Sequence, residues 1–271
     1  MQPPRGWPGV GAQLAGRLAK LDLRAPRDLL LHLPLRYEDE TRLTPIAQVR
    51  PGFPAQVEGE VTSAEVVLRP RRQLVARISD GSGTLVGRWL NFYPSQQKQL
   101  APGARVRLFG EARGGFFGLE MVHPRLRAVA PGDALPDALT PVYPTTAGVG
   151  QLTLRKLVAQ ALHSESLDEL LPADWLRRLG LPGFAEALRA LHHPAPDADP
   201  FALEQREHPT WQRMKFEELL VQQLSLRRAW LARRAQAAVA LPARGLLTAA
   251  LLDSLPFRPT GAQARVGAEI A

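Results

Sequence analysis

The chain has 271 residues, 45% hydrophobic and 22% charged, a balance that argues against disorder. It has no cysteine, which excludes disulfides and thiolate zinc sites and fits a reducing cytoplasm; the start, MQPPRGWPGVG, lacks an apolar signal core, and no 18-residue apolar run marks a membrane span. The net charge of +8 is uneven: basic residues number 7 against 5 acidic over 1–47, 12 against 6 over 48–130, 6 against 10 over 131–206 and 9 against 5 over 207–271. The excess is concentrated in the second segment and is consistent equally with a polyanion partner such as nucleic acid and with a scattered solvated surface.

Gly9-Val10-Gly11 leads into AQLAGRLAKLDL, where Leu14, Leu18 and Leu21 share one helical face. A Gly-x-Gly turn before a helix, with a second helix near 26–33, resembles a helix-hairpin-helix unit. Its exposed backbone N–H groups at Gly9 and Gly11 would face a phosphate, although the two glycines serve a plain turn equally well. Pro34 ends the second helix, and the acidic run Glu38-Asp39-Glu40 reads as a solvated turn.

From Pro51 the pattern changes to alternation, with Val57, Gly59 and Val61 set against Glu58, Glu60 and Thr62. A first strand over 55–68 is followed by the basic loop 69–73. A hairpin over 74–80 and 84–92 then turns on Asp80-Gly81-Ser82-Gly83. One face of its second strand should carry Val86, Arg88, Leu90 and Phe92, the other Leu85, Gly87, Trp89 and Asn91. A short helix over 95–100 precedes strands over 105–113 and 116–123. Five strands with a helix between the third and fourth is the order of an OB-fold barrel, whose strand 2–3 face and flanking loops commonly bind oligonucleotides. Those places hold Arg77, Arg88, Leu90 and Phe92, then Arg71 and Arg72, with Trp89 and Tyr93 alongside.

Residues 131–206 are rich in proline and acid and read as connecting structure with short helices, one over 152–162; His192-His193 has no third ligand at metal spacing. After Pro209 one long helix is predicted, with Arg227, Arg228, Arg233 and Arg234 near its end complementing the helix dipole. Its apolar residues, Leu219, Leu220, Leu224 and Leu231 among them, need a partner surface. A second helix over 246–255 and the start of another follow. The fold class is α+β: a helical segment over 1–47, a five-stranded OB barrel over 48–130, a proline-rich connecting region over 131–206, and long helices over 207–271.

Several stretches, in order, resemble the RecG family of bacterial branched-DNA helicases: GVG-x-x-L-A-x-x-L-A-K-L (9–21), LLLHLPLRYEDETRL (29–43), ISDGSG (78–83), LTPVYPTT (139–146), TLRKL (153–157) and PF-x-PTGAQARV (256–266). The resemblance implies an OB-type wedge domain that sits at the branch point of a fork and parts the strands. It also implies C-terminal motor lobes that use ATP and Mg²⁺ to drive fork regression and branch migration on stalled forks and on three-way and four-way junctions. A cytoplasmic, monomeric protein with no membrane contact is expected. Relatives tend to carry a base-stacking aromatic where this chain has Leu90, so Trp89, Phe92 or Tyr93 is expected to supply the ring. PF-x-PTGAQ is similar to the adenine-recognising motif that opens the first motor lobe, with Gln263 as the base contact and Phe257 nearby. No lysine follows a glycine, so the phosphate loop is missing and no catalytic residue is expected here. The alternatives are a stand-alone OB module binding single-stranded or junction DNA, and an OB scaffold for protein partners.

Overall fold

The computed structural model describes residues 7–68, 72–115, 118–236 and 246–270. The chain divides into two compact units, Met1–Glu217 and Glu218–Ala271.

In chain order the first unit begins with α1 (Ala12–Leu18), entered through a turn in which Gly9 adopts φ +76°. The expected second helix is a 3-10 helix, Pro26–Leu31, shorter and more tightly wound than the sequence suggested. Pro26 opens it, and Asp28 accepts hydrogen bonds from the N–H groups of Arg24 and Ala25, both at 2.8 Å. Next comes β1 (Arg36–Glu38), then the barrel strands β2 (Pro54–Val67), β3 (Gln73–Ser79) and β4 (Thr84–Trp89). Helix α2 (Pro94–Gln99) leads to β5 (Arg105–Gly115), β6 (Gly118–Val122) and β7 (Arg125–Ala128).

The six strands run in the order β2-β3-β4-β6-β5-β7, and β2 also pairs with β5, which closes the ring. The β4–β6 pair is parallel and the other pairs antiparallel, as an OB barrel requires. Closure depends on β2, which serves β5 over Pro54–Glu60 and β3 over Glu60–Val67, with a register shift between Val61 and Ser63. Gly59 sits at this bend, where a Cβ would lie 2.6 Å from the Ser79 carbonyl oxygen. The barrel core gathers Val57, Val61, Leu74, Ile78, Leu85, Trp89, Leu108 and Met121.

Strand β8 (Thr140–Val142) pairs antiparallel with β1, so the two most specific sequence motifs meet: Tyr37 lies opposite Pro141 and Glu38 opposite Thr140. Helices α3 (Gln151–Ser164), α4 (Ala173–Leu179), α5 (Phe184–His192) and α6 (Pro200–Glu204) follow, and α7 (Pro209–Arg234) carries the chain onward. A second core draws Leu18, Leu29 and Leu30 together with Tyr143, Leu154, Leu157, Leu188, Leu191 and Trp211. Residues of 1–47 and 131–206, read from the sequence as separate regions, thus contribute to one helical body. Beyond Glu217, residues of α7 together with α8 (Leu246–Ser254) and α9 (Gly261–Ile270) make up the second unit. There Leu219, Val221, Leu224, Leu226 and Leu231 are exposed.

Candidate nucleic-acid interface

The hairpin turn is more firmly held than its glycines imply. The Asp80 carboxylate accepts from the N–H groups of Ser82 (2.8 Å) and Gly83 (3.0 Å), from the Ser82 hydroxyl (2.7 Å) and from the Ile46 N–H (2.8 Å). Partial burial alone would raise its pKa, but these donors outweigh that and hold it below the usual carboxylate range. ISDGSG therefore fastens residues 46–48 to the barrel as well as turning the chain.

Strand β4 keeps the expected alternation up to Trp89. Leu85 and Trp89 point into the barrel core. The Trp89 ring folds back over Gly87, where a Cβ would meet it at 2.6 Å, and its indole N–H donates to the Pro124 carbonyl at 3.1 Å. On the opposite face Arg88 donates to Glu120 at 2.8 Å and to Gln73 at 3.0 Å. Arg77, opposite Val86 on β3, is exposed.

The strand stops at Trp89, short of the expected Phe92. Its pairing with β6 ends at Arg88–Val122, so the backbone beyond has no ladder to join. Leu90 and Phe92 consequently leave the sheet face on which the alternation had placed them. Phe92 tucks one side against the barrel core, and the Arg72 guanidinium lies over its ring, 4.8 Å from the centroid. Leu90 remains 38% exposed and Tyr93 75% exposed, at the entrance to α2. The end of the β2–β3 loop and the segment after β4 thus form one rim, Arg72-Phe92-Leu90-Tyr93. Of the expected aromatics, Tyr93 is the most exposed, and Trp89 is enclosed.

Arg71 lies outside the described residues. Gly9 and Gly11 are exposed, and the helix they introduce has only seven residues. In the second unit Phe257 is exposed, and the Gln263 side-chain oxygen accepts from the Thr260 N–H at 2.8 Å. Among the described residues no group of three or more His, Asp or Glu could hold a metal ion, and no helix is long and apolar enough to cross a membrane.

The long-range ties that hold the barrel were not visible in the sequence. Glu38 and Glu40, expected as solvated, are both engaged by Arg125 on β7, while Asp39 accepts from Thr41 and pairs with Arg42 at 2.7 Å. Glu58 on β2 receives Arg105 and Arg107, both at 2.6 Å. Burial works to raise the Glu58 pKa, but the two guanidinium groups prevail and keep it low. Arg107 also donates to the carbonyls of Asp133 and Ala134, which ties the barrel to the chain leaving it. These partners lie tens of residues apart, and no local spacing signals them.

A profile of the RecG wedge domain matches residues 7–164. The ATP-dependent DNA helicase RecG of Escherichia coli K12 is 48% identical over 97% of this chain and 38% of its own length. That of Haemophilus influenzae is 40% identical over the same shares, and that of Thermotoga maritima 29% identical over 97% and 33%. The chain therefore spans between about a third and two fifths of the length of these relatives. A solved structure of RecG bound to a three-way DNA junction superposes with a TM-score of 0.63 at 27% identity, covering 97% of this chain and 36% of that one. A wedge-domain match across more than half the chain, on a barrel of the expected strand order, shows that the chain belongs to the RecG family.

Proposed function

We propose that this chain is the DNA-handling wedge portion of an ATP-dependent helicase acting on branched DNA, which parts strands at the branch point during fork regression and branch migration. The observation that carries the reading is the rim Arg72-Phe92-Leu90-Tyr93, an exposed aromatic and an exposed aliphatic beside a guanidinium stacked on a ring, on an otherwise closed barrel. The relative solved on a three-way junction supports it.

A base pair at a branch point has lost a stacking neighbour on one side. The Tyr93 ring can replace that neighbour for the outermost base, while Leu90 blocks the path along which the two strands would re-pair. Aromatic stacking on a base contributes ~1–3 kcal/mol. Arg72 and Arg77 draw the separated backbones along the barrel, and Arg88, engaged with Glu120 and Gln73, stiffens the β3–β4–β6 face instead of reaching for phosphate. Phe257 and Gln263 offer an apolar surface and an amide to one edge of an adenine. The chain contains no Gly-Lys pair to cradle phosphates, so ATP hydrolysis and its Mg²⁺ belong to motor lobes outside it, and this chain alone should be inactive as an ATPase. The protein is read as a monomer of the bacterial cytoplasm.

The test is fluorescence anisotropy with three-way, four-way and linear duplex DNA across a salt series. Junctions should bind more tightly than duplex, with affinity falling steeply as salt releases the phosphate contacts. Equal affinity for linear duplex and junction at moderate salt would overturn the wedge reading.

A further inference from the structure

We propose that the Arg227–Arg234 stretch of α7 is a second DNA contact, separate from the barrel, which docks on the phosphodiester backbone of a duplex arm without reading its sequence. Four arginines fall within eight residues, Arg227, Arg228, Arg233 and Arg234, and no acidic residue occurs on the helix after Glu218. All four are exposed, and among the described residues none of them is in an ion pair.

Their arrangement goes beyond solvated charge. Trp230 lies one turn after Arg227 and one turn before Arg234. Both guanidinium groups rest on its ring, at 4.4 Å and 4.6 Å from the centroid. The indole thus holds two like charges on one side of the helix, close together because both lie within 4.6 Å of one ring centroid. Two neighbouring cations with no ion-pair partner among the described residues suit a polyanion with successive charges better than a single carboxylate. Guanidinium forks also match phosphate oxygens in pairs. A membrane surface fits less well. Leu219, Val221, Leu224 and Leu226 are spread around the helix, with no single apolar stripe opposite the arginines, and Trp230 belongs to the arginine cluster.

The proposal does not depend on the wedge reading, because its signature differs. Each phosphate contact adds about 0.9 to the slope of log affinity against log salt. The double variant Arg227→Gln/Arg234→Gln should flatten that slope by about 2, which is ~60-fold weaker binding at 0.1 M salt if the curves converge at 1 M. The loss should be equal for linear duplex and three-way junction, leaving the ratio between them unchanged. Arg177→Gln/Arg178→Gln on α4, also exposed, removes the same charge elsewhere and should change the slope by less than half as much. Circular dichroism melts establish that both variants fold. An unchanged slope in the α7 variant, or an equal change in the α4 control, overturns the proposal. So does loss of binding to phosphatidylserine vesicles with DNA binding intact, which would assign the surface to a membrane instead. Absent junction preference in the unmodified chain, by contrast, removes the wedge reading and leaves this one standing.

Discussion

Lowering the pH from 7 to 5 should destabilise the helical body through His192. This side chain is 5% exposed and joins three distant segments: its Nε2 lies 2.9 Å from the Leu30 carbonyl and its Nδ1 3.0 Å from the Tyr143 hydroxyl. A carbonyl accepts and never donates, so Nε2 carries the proton and Nδ1 accepts from Tyr143, whose phenol is itself pushed to high pKa by burial. Burial lowers the His192 pKa to about 4; the Leu30 hydrogen bond opposes this, and nearby His32 adds to it. Between pH 6.5 and about 4 the unfolded chain takes up a proton that the folded one refuses. Stability is therefore complete above 6.5 and is lost as pH falls through that window. The loss is about 2 kcal/mol by pH 5 and about 3 kcal/mol by pH 4. His32, stacked on Tyr143 and also lowered by burial, adds in the same direction. Urea unfolding followed by circular dichroism between pH 7.5 and 4.5 measures this. His192→Gln should be less stable at pH 7 by ~1–3 kcal/mol from impaired hydrogen bonding but should fall less steeply with acid. Parallel decline in the two proteins would refute the assignment of the acid loss to His192.

Trp89→Phe removes the bond to Pro124 and should cost ~1–3 kcal/mol in stability without changing junction affinity per folded molecule; a selective affinity loss would return Trp89 to the DNA surface. Tyr93→Ala should weaken three-way-junction binding by ~1–3 kcal/mol and leave linear duplex binding nearly unchanged, and Leu90→Phe should strengthen the junction complex, both read by anisotropy. Arg125→Ala leaves Glu38 and Glu40 without their shared partner. It should lower stability by about 1–2 kcal/mol, less than a fully buried pair because Arg125 is 42% exposed. An unchanged urea midpoint would show that this pairing contributes nothing.

Local pattern was enough to read the barrel strands, the hairpin turn and the long helix, because alternation, Gly-rich turns and helical spacing are properties of residues close in sequence. It also placed Leu85 and Trp89 on one face of β4 and Arg88 on the other. The tertiary structure alone decided which face met the core and where the strand stopped. Its partner β6 runs out at Val122, so Leu90 and Phe92 turn away from the sheet. Contacts across long stretches of chain were likewise invisible in the sequence: Arg125 on Glu38 and Glu40, Asp80 on the Ile46 N–H, His192 between Leu30 and Tyr143. LHLPLRYED and LTPVYPTT could be recognised as motifs, but that they pair as two strands follows only when the shared core brings residues 36–38 and 140–142 together. Residue types and periodicity thus determined what each segment could become, and closure of the barrel and burial of the common core determined which side chains stay enclosed and which remain exposed.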